Sequence, residues 1–202
     1  MARSVSDRLR IGILGGTFDP VHRAHLAIAE AARDQAKLDR VLFVVSAHPP
    51  HKRNYVSTPA EDRLAMVEAA VSAYPEFEAS DLEIRRPGPS YTVDTLREIR
   101  AAHPEAELYL ILGYDAALDL PHWREPQKIL EMARLLVLPR EGGAPPPLHH
   151  DVMNRSTILR FSPIPLSSTE IRESLRRGEY PAHALPEPVL DLIRRKGLYG
   201  CR

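Results

Sequence analysis

The stretch IGILGGTFDPVHRAH, Ile11 to His25, joins an apolar run to a glycine pair and then to two histidines three residues apart. A short continuous apolar run suits a strand buried on both faces. The glycines let the chain turn and approach a ligand closely. The helix expected to start at the histidines offers unpaired N–H groups and a positive dipole end to an anion. This is the arrangement of a phosphate site at the end of a parallel strand.

Similar apolar runs recur at Val41–Val45, Leu108–Leu112 and Leu135–Leu138, with a more alternating one at Phe77–Ile84 and a short piece at Ile158–Phe161. Helical patterns lie between and after them: His25–Ala36, Pro59–Ala73, Thr92–Ala102, a broken one over Ala116–Ala133, Ser167–Arg177, and Glu187–Lys196 closed by Gly197. The alternation predicts an α/β fold, a Rossmann-like doubly wound parallel sheet of about five or more strands with helices on both faces. We expect a single domain over 1–202, with a core over about 9–165 and C-terminal helices over about 166–202. Thr58-Pro59-Ala60-Glu61 reads as a helix start, with a capping threonine and a proline at the first helical position. Glu141–Pro147 (EGGAPPP) reads as a surface loop.

The 202 residues carry 27 Lys plus Arg against 27 Asp plus Glu, so no global field draws the chain to nucleic acid. Hydrophobic residues make up 44% and charged ones 27%, the balance of an ordinary globular protein with no membrane role. Cys201 has no partner, which excludes an intrachain disulfide and a cysteine-based zinc site. The polar, basic segment Met1–Arg10 leads into an apolar run too short for a signal peptide, and a cytoplasmic location is expected. The sequence leaves open whether the protein forms a homo-oligomer.

In open parallel sheets ligands bind beyond the carboxyl ends of the strands. The segments that follow the apolar runs are polar: GGTFDPVHRAH, SAHPPHKRN, GYD with LPHW, and PLSSTEIR. At i and i+3, His22 and His25 share one helix face and can offer two N–H donors to phosphoryl oxygens. The alternative is one capping histidine and one buried against the backbone. Two histidines without a third ligand do not make a zinc site. Ser167 and Glu170 stand at capping-box spacing, and Arg172, placed in the first turn, opposes the helix dipole unless an anion binds there. Lys52 suits a phosphate, Asp115 a ribose or a helix cap, and Trp123 an aromatic ring or the core. The P-loop GxxxxGK[ST] and the dinucleotide GxGxxG are both absent.

GGTFDPVHRAH together with LSSTEIR (Leu166–Arg172) resembles the signature pair GxFDPxHxGH and ISSTxIR of the nucleotidyltransferase superfamily. PPHK (Pro49–Lys52), RRPGPSYTVDTLRE (Arg85–Glu98), LGYDAALDLPHW (Leu112–Trp123) and KGLY (Lys196–Tyr199) are similar to the bacterial nicotinate-nucleotide adenylyltransferase family. The resemblance spans nearly the whole chain. It implies a reaction of ATP with nicotinate mononucleotide giving deamido-NAD and pyrophosphate, with Mg2+ carried on the ATP phosphates and no metal held by the protein.

By the same resemblance His22, His25 and Arg172 are the catalytic group. Gly15, Gly16, Thr17, Phe18, Asp115, Ser167, Ser168, Thr169 and Arg172 bind ATP, and Asp19, Lys52, Tyr91, Thr92 and Trp123 serve the mononucleotide. The family glycine between the histidines is Ala24 here, a change that a helical backbone tolerates and a positive φ would not. Pantetheine-phosphate adenylyltransferase shares the first motif but is typically shorter and lacks the PGPSYTVDTL and LPxW segments. A non-catalytic nucleotide-sensing module on the same fold is the alternative from another class.

Overall fold

The computed structural model describes residues 8–48, 58–140 and 145–201. Six strands are present among them: β1 (Arg10–Gly16), β2 (Arg40–Val45), β3 (Phe77–Ser80), β4 (Glu107–Gly113), β5 (Ala133–Leu138) and β6 (Ser156–Ile158). The helices are α1 (Arg23–Ala36), α2 (Ala60–Val71), α3 (Leu82–Arg85), α4 (Thr92–Ala102), α5 (Tyr114–Asp119), α6 (Pro126–Met132), α7 (His150–Asn154), α8 (Ser168–Arg176) and α9 (Glu187–Lys196). Short 3-10 turns cover Leu120–His122 and Leu198–Gly200.

One sheet holds all six strands in the order β3-β2-β1-β4-β5-β6. The β1–β4, β4–β5 and β5–β6 pairs are parallel, with Ile11 opposite Leu108, Leu110 opposite Leu135, and Leu136 opposite Thr157. The chain winds outward from β1 to β3, then returns to β4 on the other side of β1. Right-handed crossovers therefore put the helices of the two runs on opposite faces, as the doubly wound expectation requires.

Contacts divide the chain into two compact units. The first contains 8–14, 28–42 and the described part of 90–163. Its core is the two-faced burial of Leu108–Leu112 and Leu135–Leu138, covered by Val93, Leu96 and Ile99 of α4 and Ile129 and Leu130 of α6. Arg100 ties α4 down by donating to the carbonyls of Ala106 and Met132, each at 2.7 Å. The second unit contains 15–27, the described part of 43–89, and 164–201. There α2 buries Met66, Val67 and Ala70 and packs with α9, which buries Val189, Leu190 and Ile193. Gly197 closes α9 at φ 62°, a left-handed position that glycine takes without strain.

Several local expectations are corrected. Pro59, at ψ 145°, precedes α2 instead of forming its first residue, and no side chain caps this helix. Thr58 is used otherwise: its carbonyl accepts from Arg63 Nε at 3.1 Å and its side chain bonds to Tyr199. The alternating run at Phe77–Ile84 is a strand only to Ser80. Beyond it the Asp81 carbonyl accepts from the N–H groups of Ile84 and Arg85 and turns the chain into α3. The last strand lies at Ser156–Ile158, ahead of most of the expected Ile158–Phe161 piece. Glu141–Ala144, four of the seven residues of the expected loop, lie outside the described residues.

Candidate active site

Strand β1 runs through both glycines, and neither takes a positive φ. The turn expected of them is made instead by Phe18, at φ 49°. Gly15 is exposed, and a methyl there would meet nothing within 4 Å. Gly16 is different: a Cβ would lie 2.9 Å from the Phe18 ring, so the ring can fold back over the strand end only because Gly16 lacks one. Phe18 is 1% exposed and stands edge-on to His25 at 5.1 Å between centroids. Its side chain, expected to help bind ATP, is the floor under His25.

Helix α1 starts at Arg23, two residues before the expected position. The N–H of His22 donates to Nδ1 of His25 at 3.1 Å, and the N–H of His25 returns to the His22 carbonyl at 2.9 Å. This is the logic of a capping box, with histidine in the place of the usual Glu or Gln. Because Nδ1 accepts, a neutral His25 carries its hydrogen on Nε2. The two rings stack at 3.7 Å. His22 is buried, its Nδ1 has no hydrogen-bond partner, and burial lowers its pKa from 6.5 to about 4. It is therefore a neutral imidazole at physiological pH. The alternative reading of the pair matches in part, since one ring caps the helix and the other is buried, its Nδ1 without a hydrogen-bond partner. Ala24 lies between them, buried in the first turn and outside the positive-φ positions, so its methyl sits on ordinary helical backbone.

The second motif docks on the first. Ser168 Oγ donates to the Pro20 carbonyl at 3.0 Å, and an Arg172 guanidinium nitrogen donates to the Asp19 carbonyl at 2.7 Å, across 148 and 153 residues of sequence. Another Arg172 nitrogen donates to Thr169 Oγ1 at 3.2 Å. Two expectations change here. Ser167 takes the N-cap position with no side-chain cap bond, and Arg172 lies in the second turn of α8, where it is held by the first motif.

Two residues outside the expected site set organise this region. Arg63, only 1% exposed, donates to the carbonyls of Thr17 at 2.6 Å, Ser46 at 2.8 Å and Thr58 at 3.1 Å. Its signal was readable, since a guanidinium in register with the apolar positions Met66, Val67 and Ala70 of one helix face needs internal acceptors. Tyr199 donates its hydroxyl to Asp19 Oδ1 at 2.7 Å. The Asp19 carboxylate, 2% exposed, is thus engaged from inside the protein. The Thr17 main chain is likewise fixed by Arg63.

The remaining candidates belong to the first unit. Tyr91 precedes α4 and carries the Arg124 guanidinium over its ring at 4.7 Å, and Thr92 is the first residue of that helix. Asp115 is the second residue of α5, strongly exposed, with Arg140 Nε at 3.5 Å. Trp123 is half-buried and donates from Nε1 to Asp119 Oδ2 at 3.1 Å, fixing the indole at the end of a 3-10 turn. Lys52 lies outside the described residues.

Comparison with known proteins gives the family and the fold. The cytidylyltransferase-like family model matches residues 13–174. A protein of Thermus thermophilus named probable nicotinate-nucleotide adenylyltransferase is 44% identical over 192 residues, covering 95% of this chain and all of the relative. One of the same name from Synechococcus is 42% identical over 195 residues, 94% of each chain. In fold, the chain is similar to the nicotinic acid mononucleotide adenylyltransferase of Plasmodium falciparum solved with NaAD, with a TM-score of 0.76, 20% identity, and 96% and 99% of the two chains covered. From the family match and the full-length likeness to its curated relatives, the chain belongs to the cytidylyltransferase-like family and, within it, to the nicotinate-nucleotide adenylyltransferases.

Proposed function

We propose that the protein joins ATP and nicotinate mononucleotide to form deamido-NAD and pyrophosphate, a step of NAD biosynthesis. The observation that carries this reading is the docking of Ser168 and Arg172 on the carbonyls of Pro20 and Asp19, next to His22 and His25. One anion-binding helix start and one guanidinium fork are thereby brought into a single rigid arrangement, as a polyphosphate requires.

In the reaction, a phosphate oxygen of the mononucleotide attacks the α-phosphorus of ATP. The bond from that phosphorus to the bridging oxygen breaks, and pyrophosphate leaves with the electron pair. The nucleophile is already an anion, so no general base is needed, and the protein's work is alignment and charge stabilisation. His25, with Nδ1 committed to the backbone, presents Nε2–H to a phosphoryl oxygen. His22, kept neutral by burial, supports that ring by stacking. Arg172 spends two of its five N–H donors on Asp19 and Thr169, leaving donors for the β and γ phosphates together with Ser167 and Ser168. Gly15, exposed and without a side chain, lets the triphosphate approach the main chain from Gly15 to Thr17. Asp115 is assigned to the adenosine ribose; Tyr91, Thr92 and Trp123, with Lys52, to the mononucleotide.

Among the described residues no three His, Cys, Asp or Glu side chains converge as a metal site. From the family resemblance, magnesium is assigned to the substrate, as the ATP complex. Pyrophosphate release from MgATP tests the whole reading. It should require nicotinate mononucleotide and proceed with a much lower kcat/KM on the nicotinamide analogue. Release driven instead by 4′-phosphopantetheine, or by neither acceptor, would overturn it.

A further inference from the structure

Asp19 is held at both ends. Its carbonyl accepts from Arg172 at 2.7 Å, and its carboxylate accepts from the Tyr199 hydroxyl at 2.7 Å. The phenol reaches it from the C-terminal 3-10 turn, 180 residues away in sequence. Tyr199 itself adopts φ 59°, between Gly197 at φ 62° and Gly200 at φ 84°. A bulky aromatic residue is unfavourable in this left-handed region, and where the chain needs only a turn glycine serves better. The hydroxyl contact with Asp19 is what a tyrosine supplies at this position and a glycine cannot. Burial and the nearby Asp19 carboxylate both raise the phenol's pKa, so it stays a protonated donor. Thr58 bonds to the same phenol, Met66 Sδ lies at 3.8 Å from its oxygen, and Arg63 faces Asp19 with its positive charge.

We propose that Tyr199 is a positioning residue for adenylyl transfer: by holding the Asp19 carboxylate it fixes the Asp19 carbonyl on which the Arg172 guanidinium is oriented. The inference rests on the function proposed above. Among the described residues Arg172 donates to the Asp19 carbonyl and to Thr169 Oγ1, so a loosened Asp19 frees the guanidinium to rotate away from the triphosphate. Tyr91, Thr92 and Trp123, proposed for the mononucleotide, take no part in these two hydrogen bonds. Loss of the hydroxyl is therefore selective between the two substrates.

The test compares wild type with Tyr199→Phe, Asp19→Ala and the double variant, at a temperature where circular dichroism shows each folded. Tyr199→Phe is expected to raise the ATP KM about fivefold or more and to lower kcat, leaving the nicotinate mononucleotide KM within about twofold. The double variant is expected to match Asp19→Ala alone, because the two side chains act through one contact. A variant that has merely lost stability would show fewer active molecules with both KM values unchanged, and that result overturns the proposal. Additive effects of the two substitutions overturn it as well. If wild type is active and Tyr199→Phe equals it, only this inference fails. If wild type releases no pyrophosphate with nicotinate mononucleotide, the proposed function fails and the inference with it.

Discussion

The main-chain N–H of His22 donates to Nδ1 of His25 at 3.1 Å, so one imidazole ring both caps α1 and is fixed as the tautomer with its hydrogen on Nε2. The two duties separate by mutation. Glutamine at position 25 can still accept the His22 N–H, as the third residue of a capping box normally does, but it places no ring against Phe18. His25→Gln should therefore keep most of the stability while losing about a hundredfold in kcat, the usual scale for one transition-state donor. His25→Ala should lose the same activity and about 1 kcal/mol of stability from the missing cap. Thermal melts beside steady-state kinetics check both, and a His25→Gln enzyme with near-normal kcat would remove His25 from the chemistry.

His22 makes stability depend on acidity. In the unfolded chain its imidazole takes a proton near pH 6.5, but in the folded protein only near 4, because burial penalises the cation. Between those values the unfolded state binds more protons, so lowering the pH favours unfolding. The contribution is whole above about pH 6.5 and is lost as the pH falls through about 4, a difference of about 3 kcal/mol. Urea titrations at a series of pH values should show this slope in wild type and a flatter one in His22→Asn. Equal slopes would mean that other groups carry the acid sensitivity.

Most of the sheet was readable because burial on two faces leaves a plain signal. Val41–Val45 and Leu108–Leu112 are apolar throughout, and α4 and α9 keep the expected bounds of Thr92–Ala102 and Glu187–Lys196. The caps were less legible. Thr58 and Ser167 stand at capping positions in the sequence, but the Thr58 side chain bonds to Tyr199, and no side chain caps the helix that Ser167 precedes. Motif spacing likewise brought out His22, His25 and Arg172, whose neighbours in sequence announce them. Tyr199 stands in the KGLY segment, but nothing there announces its partner, since Asp19 lies 180 residues away. The turn at Phe18 was hidden for a different reason: two glycines precede it, yet the left-handed φ falls on the aromatic residue that uses Gly16 as a seat.

The adjacent glycines should respond oppositely to a methyl group. At Gly16 the new Cβ meets the buried Phe18 ring at 2.9 Å, an overpacking that costs about 1–3 kcal/mol and displaces the floor under His25. At Gly15 it enters open space, and stability should change by no more than about 0.5 kcal/mol. Gly15→Ala is nevertheless expected to raise the ATP KM, because the methyl stands where the triphosphate approaches the main chain. Melting temperatures and ATP titrations of the two variants give the check. A Gly15→Ala enzyme with unchanged ATP KM would place the phosphates elsewhere.

Arg63 should be the most sensitive residue of the second unit to a conservative change. Its guanidinium satisfies the carbonyls of Thr17, Ser46 and Thr58 from three separate segments, and it also lies in the field of the buried Asp19 carboxylate. Methionine at this position has similar reach but leaves the carbonyls and the carboxylate without their cation, at about 3–5 kcal/mol. At roughly 2–4 °C per kcal/mol for a chain of this size, the melting temperature should fall by about 10 °C. Lysine restores the charge but is a point donor that cannot fork to several carbonyls, so Arg63→Lys should recover only part of the loss. Full recovery by lysine would show that charge opposite Asp19, and not the three carbonyl bonds, is what the fold requires at this position.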